Sequence, residues 1–120
     1  MATLQASKSV AANVREWLVV IPDHANVLAR RIAVRPRHSP HFVELHKEGY
    51  VSWAGPLFTK HVEPRPGQMR PFKGSAIVLN DRDRESIVNR LSGDIYVTER
   101  IWDLDSALIV PFRTLRRRAL

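Results

Sequence analysis

Residues 17–38 read WLVVIPDHANVLARRIAVRPRH, and the order of patterns within them decides the fold. Residues 17–21 are a short β-branched apolar run stopped by Pro22-Asp23, which predicts a buried strand. From Asn26 the pattern turns helical: Leu28 and Ile32 are apolar and four apart, with Arg30 and Arg31 between them. Pro36 lacks an amide proton and crowds the preceding turn, so the helix is expected to break or kink between Arg35 and Pro40, with His38 at the break. Ser39-Pro40 then reads as an N-cap and first helical position of a second piece, which points Phe42 and Leu45 inward and ends at Gly49.

Outward from this strand and helix, residues 50–57 read as a second strand with a bend at Gly55-Pro56. Residues 59–73 hold Pro64, Pro66, Pro71 and Gly67 and predict a long loop. Residues 75–79 form a third strand. Asn80 or Asp81 is expected to cap a helix with Ile87, Val88 and Leu91 on its core face, ended by Gly93. Asp94-Ile-Tyr96 then falls in a short turn, and residues 101–112 supply a last strand, interrupted around Asp105.

The order strand, helix, strand, strand, helix, strand predicts an α+β fold, a ferredoxin-like βαββαβ sandwich. Both helices would cover one face of the antiparallel sheet and leave the other open. That open face would expose apolar area, so two sheets are expected to pair in a homodimer and enclose a cavity between them.

Composition narrows the function. With 120 residues the chain is long enough for one domain, and 44% hydrophobic content suffices for a core. Residues 1–14 read as a disordered N-terminal segment, 15–113 as the folded domain and 114–120 as a basic tail. No apolar run approaches the roughly 20 residues of a membrane helix. The first residues lack the long apolar region of a secretory signal; their acid-poor start has a transit-peptide look, and a cytoplasmic location is expected. Cysteine is absent, so thiol chemistry and disulfides are excluded. His41 and His46 are five apart, a poor fit to one helical face, and no metal is expected. No phosphate-cradling glycine loop occurs, so no nucleotide cofactor is expected. The net charge is +7, with Arg113, Arg116, Arg117 and Arg118 supplying four of the positive charges. Charge confined to one end does not amount to a nucleic-acid-binding surface.

Arg31, Arg35 and His38 are spaced four and three apart and share one face of an unbroken helix. Two fixed cations beside a titratable imidazole can receive an anion and move a proton; the competing reading is a solvated basic face.

These residues, together with others along the chain, resemble the YCII-related family of the dimeric α+β barrel superfamily, with fungal members most similar. The matching pieces are Arg31-Ile-Ala-Val-Arg35-Pro-Arg-His38, Gly49, Ala54-Gly55-Pro56-Leu57, Gly74-Ser75, Asp94-Ile-Tyr96, Ile101-Trp-Asp-Leu and Ile109-Val-Pro-Phe112. The chain departs from the family pattern at Ser39-Pro40, where Leu-Ala is usual.

The resemblance implies a dimer and a pocket holding a His–Asp pair, here His38 and Asp94. Family members look similar to muconolactone isomerase in fold, and one branch removes chloride from a chlorinated hydroxyquinol. A carboxylate on one ring nitrogen would fix the imidazole tautomer and free the other nitrogen for proton transfer. Arg35 and Arg31 could hold a carboxylate or enolate, Ser75 could donate a hydrogen bond, and Trp53 and Tyr96 could wall a planar ligand. Against these roles stand ion pairing for the arginines, an ordinary strand hydroxyl for Ser75 and core packing for Trp53. The expected function is a cofactor-independent lyase or isomerase acting on a small aromatic or polyketide-like substrate, in a tailoring step of secondary metabolism. The alternative is a non-catalytic small-molecule-binding module using the same pocket.

Overall fold

The computed structural model describes residues 13–115. Residues 1–12 of the segment 1–14 expected to be disordered, and residues 116–120 of the expected basic tail 114–120, lie outside them. In chain order the elements are β1 (Arg15–Pro22), α1 (Leu28–Lys47), β2 (Val51–Phe58), β3 (Phe72–Asp81), α2 (Arg84–Leu91), the one-turn α3 (Ile95–Thr98), a 3₁₀ turn (Leu104–Ser106) and β4 (Leu108–Pro111). The four-stranded sheet has the order β2-β3-β1-β4. Every neighbouring pair is antiparallel. This is the ferredoxin-like arrangement expected from the order of elements.

Alternation along the strands sorts the side chains onto two faces. Val19, Ile21, Ile77, Leu79 and Ile109 face the helices and join Leu45, Ile87, Leu91, Tyr96 and Trp102 in the core. The other face carries Leu18, Val20, Ala76, Val78, Leu108 and Val110, which the register places side by side. Trp53 and Phe112 meet edge to face there at 6.5 Å between ring centroids. Val78 lies beneath this cover and is fully buried, whereas Trp53, Leu108 and Phe112 remain 46%, 53% and 37% exposed.

Several expectations are corrected. α1 does not break: it runs through Pro36 and Pro40 as one helix of 20 residues, so Ser39 is interior rather than a cap. The two prolines are four apart on the exposed side, where water can satisfy the carbonyls they leave without a donor. The inner side is pinned along its length by Arg31, His38, Phe42 and Leu45, and this packing outweighs the local preference for a break. β2 continues through Gly55-Pro56, because it is an edge strand, where proline costs little pairing. The cap of α2 is Asp83, not Asn80 or Asp81; its carboxylate accepts from the Ser86 amide at 2.8 Å. Asp94 opens a helical turn instead of sitting in a plain one. The last segment is interrupted, as expected, by the 3₁₀ turn at residues 104–106.

Gly74 is required by a close approach. A Cβ there would lie 2.5 Å from the Ile21 carbonyl oxygen across the β1–β3 pair. Gly74→Ala is expected to cost about 1–3 kcal/mol, because backbone must move to admit the methyl group. A urea-unfolding midpoint unchanged from wild type would contradict this.

Candidate functional site

The continuity of α1 puts Arg31, Arg35 and His38 on one wall of a cavity of about 290 Å³. β2 and β3 contribute Ala54, Gly55, Pro56, Phe72, Ser75 and Ile77 to the opposite wall, and Tyr96 and Trp102 close it. The volume is at the small end of ligand pockets, which run from about 300 to 1,000 Å³. The cavity lies within the single chain, between α1 and the sheet; a cavity between two paired sheets, as expected, would lie on the other face. The helix side of the sheet is incompletely filled above Ser75.

The expected His–Asp pair is assembled. Asp94 caps α3 and is completely buried. One of its oxygens accepts from the Tyr96 amide at 2.8 Å and pairs with His38 Nδ1 at 2.7 Å. Its other oxygen pairs with His41 Nδ1 at 3.0 Å. Burial works against ionisation of Asp94, yet His38, the Tyr96 amide and His41 together hold its carboxyl below the ordinary value of 3.8. An ionised carboxylate can only accept, so the neutral His38 ring carries its proton on Nδ1 and keeps a lone pair on Nε2. The ring stacks on Tyr96 at 3.8 Å with a 5° interplanar angle and meets Trp102 edge-on at 5.1 Å. It has little freedom to turn away.

The depressed Asp94 carboxyl has a signed consequence for stability. A group bound more weakly by protons in the folded state stabilises above its unfolded value and loses that contribution as pH falls through its folded one. Asp94→Asn is therefore expected to be less stable than wild type at pH 7, with the gap narrowing below about pH 4. Urea midpoints at pH 7 and pH 3.5 measure this; a gap of equal size at both would refute it.

Arg31 is 6% exposed and bonded through both terminal nitrogens. Its Nη1 donates to both oxygens of Asp23, at 2.7 and 2.9 Å, and its Nη2 donates to Ser75 Oγ at 3.0 Å. The guanidinium also lies over the Phe72 and Tyr96 rings, at 4.9 and 5.2 Å. Trp102 Nε1 donates to the same Ser75 oxygen at 3.1 Å. Tyr96 Oη donates to the Arg31 carbonyl at 3.2 Å. Burial pushes the Tyr96 phenol above its ordinary value, against the pull of Arg31 and Arg35, so it stays neutral. Arg35 is exposed at the cavity mouth.

Six of the seven expected site residues thus come together: His38, Asp94, Arg31, Arg35, Ser75 and Tyr96. Trp53 does not; it lies on the opposite face of the sheet, against Phe112. Sequence reading missed His41, although its i+3 spacing from His38 places both on adjoining parts of one helix face. It also missed Asp23 and Trp102, whose contacts come from distant segments and leave no local signal. Among the described residues no group of three or more His, Cys, Asp or Glu could hold a metal ion, and no helix is long and apolar enough to cross a membrane.

The chain is similar to several known proteins. It is 59% identical over 104 residues to aspercryptin biosynthesis cluster protein B of Emericella nidulans, a match covering 87% of this chain and 66% of that protein. It is 30% identical over 105 residues to fusaric acid biosynthesis protein 2 of Gibberella fujikuroi, covering 88% of this chain and 99% of that one. It is 27% identical over 97 residues to protein YciI of Escherichia coli, covering 81% and 95%. No protein-family model matches. Among solved structures, the 5-chloro-2-hydroxyhydroquinone dehydrochlorinase TftG of Burkholderia phenoliruptrix, in complex with 2,5-dihydroxybenzoquinone, superposes with a TM-score of 0.65 at 13% identity, over 82% of this chain and 93% of that one. At that identity the likeness establishes the shared fold.

Proposed function

The chain belongs to the YCII-related family of small α+β proteins, and on that premise we propose that it is a cofactor-independent enzyme moving a proton on a small planar substrate. The observation that carries this reading is the Asp94–His38 pair, held at 2.7 Å on the wall of an otherwise largely apolar cavity. Asp94 orients the ring, and Nε2 of His38 acts as general base and then as general acid. Arg35, at the mouth, attracts an anionic group on the substrate. Arg31 is a positioning residue, because both its terminal nitrogens are bonded to Asp23 and Ser75. Tyr96 and Trp102 are aromatic walls.

Removing a proton next to a ring or chain carbonyl leaves an anion spread onto oxygen. Return of the proton at another atom is isomerisation; departure of a neighbouring group with its electron pair is elimination; loss of carbon dioxide followed by protonation is decarboxylation. All three need a group that takes or returns a proton beside a stabilised oxygen anion: as base then acid in the first, as base in the second, as acid in the third. The names of two relatives, an aspercryptin biosynthesis cluster protein and a fusaric acid biosynthesis protein, support a tailoring step in secondary metabolism. The apolar sheet face around Trp53, Leu108 and Phe112 supports a homodimer formed by packing two such faces together.

The test is a turnover screen of one-ring phenols, quinones and enolisable ketones with wild-type and His38→Gln proteins. Turnover abolished by His38→Gln supports the reading. Compounds that bind at His38 without turnover would replace it with that of a binding module.

A further inference from the structure

We propose that Ser75 is a one-way hydrogen-bond donor that selects ligands presenting an acceptor-only oxygen, a carbonyl or an ionised hydroxyl, at the floor of the cavity. This rests on reading the His38 cavity as the ligand site. A serine hydroxyl has one proton and two acceptor lone pairs. Both lone pairs of Ser75 are occupied, one by Arg31 Nη2 at 3.0 Å and the other by Trp102 Nε1 at 3.1 Å. Neither partner can reverse its role, because guanidinium and indole nitrogens donate and do not accept. Among the described residues nothing accepts the Ser75 proton, and the residue lines the cavity while only 7% exposed.

The remaining tetrahedral direction of this hydroxyl therefore belongs to the ligand, and only an acceptor satisfies it. The Arg31 cation polarises the hydroxyl through their hydrogen bond and makes it a stronger donor than a free serine. An amine or a protonated hydroxyl pointing its hydrogen at Ser75 would meet a filled oxygen and leave a buried donor unpaired. The ligand is then read at two points of opposite sense. His38 Nε2 takes a proton, and Ser75 gives a hydrogen bond to the oxygen on which the resulting negative charge gathers.

A near-isosteric pair of fluorinated probes tests this: pentafluorophenol, ionised at pH 8 and acceptor-only at oxygen, and pentafluoroaniline, a donor at nitrogen. Affinities are read by ¹⁹F NMR, with the His38 ring resonances reporting where the probes sit. Attraction of the phenolate by Arg35 is common to all variants, so the ratio of the two affinities isolates Ser75. The ratio is expected to favour phenolate in wild type and to fall about tenfold or more in Ser75→Ala, the worth of one hydrogen bond to an ion. Trp102→Phe vacates one lone pair and lets Ser75 accept, so there the ratio falls because the aniline gains. If Ser75→Ala does not fold, Trp102→Phe decides alone. Probes that move the His38 resonances with a ratio unchanged in the variants would overturn the Ser75 proposal and leave the cavity reading standing. Probes that leave those resonances unmoved would remove the cavity reading, and this proposal with it.

Discussion

His38→Gln is expected to lower turnover by about 10²- to 10⁴-fold, the usual worth of a positioned general acid/base. Glutamine fills part of the imidazole volume and can hydrogen-bond, but it cannot take up and return a proton. The substrate would still meet Tyr96, Trp102, Ser75 and Arg35, so KM is expected to move by only a few-fold while kcat carries the loss. Asp94→Asn is expected to fall between wild type and His38→Gln. It leaves a polar group beside Nδ1 but no longer compels the tautomer that exposes the Nε2 lone pair. ¹⁵N shifts of the His38 ring check the cause independently: a proton-bearing Nδ1 in the neutral wild-type ring and a mixture of tautomers in Asp94→Asn. Undiminished kcat in a folded His38→Gln protein would remove the acid/base assignment.

Arg31→Met is expected to destabilise the domain by about 3–5 kcal/mol, the usual consequence of removing one partner of a buried ion pair. The Arg31 and Asp23 side chains are only 7% and 6% exposed, so no solvent replaces the lost partner. The loss is not confined to Asp23, since Ser75 gives up one donor and the Phe72 and Tyr96 rings lose the cation stacked against them. A single domain has a total stability of about 5–15 kcal/mol, so the variant would stand near its unfolding threshold. Burial already raises the Asp23 carboxyl above its ordinary value, against the opposing pull of Arg31. Without Arg31 the carboxyl would hold its proton more strongly in the folded state, which adds stability at low pH that is lost as pH rises. The deficit of Arg31→Met should therefore be smaller at pH 5 than at pH 7. Adding Asp23→Asn to Arg31→Met should recover part of it, because the stranded charge is then gone. Urea midpoints of the single and double variants measure both effects. A single variant within about 1 kcal/mol of wild type would show that the pair contributes little.

The order of elements was legible because each has a local cause: β-branched runs at residues 17–21 and 75–79, helical spacing at Ile87 and Leu91, glycine at 49 and 93. So was the shared face of Arg31, Arg35 and His38, which needs only helical periodicity. The pairing of His38 with Asp94 entered through resemblance to a family, not through spacing, since 56 residues separate the two. Local rules failed at Pro36 and Pro40, which forecast a broken helix. Proline's cost is a missing donor and a crowded turn, and on the solvent side of a helix pinned along its inner face that cost is bearable.

By itself the sequence determined a βαββαβ chain without thiols, with two arginines and a histidine on one stripe. Only the tertiary structure decided which side of the sheet holds the cavity, and hence that Trp53 lies outside it. Only there do the two arginines part, Arg31 locked to Asp23 and Ser75 and Arg35 left at the mouth. Asp23, Ser75 and Trp102 reach one another from separate segments, and hydrogen bonds between distant residues impose no period on the chain that joins them.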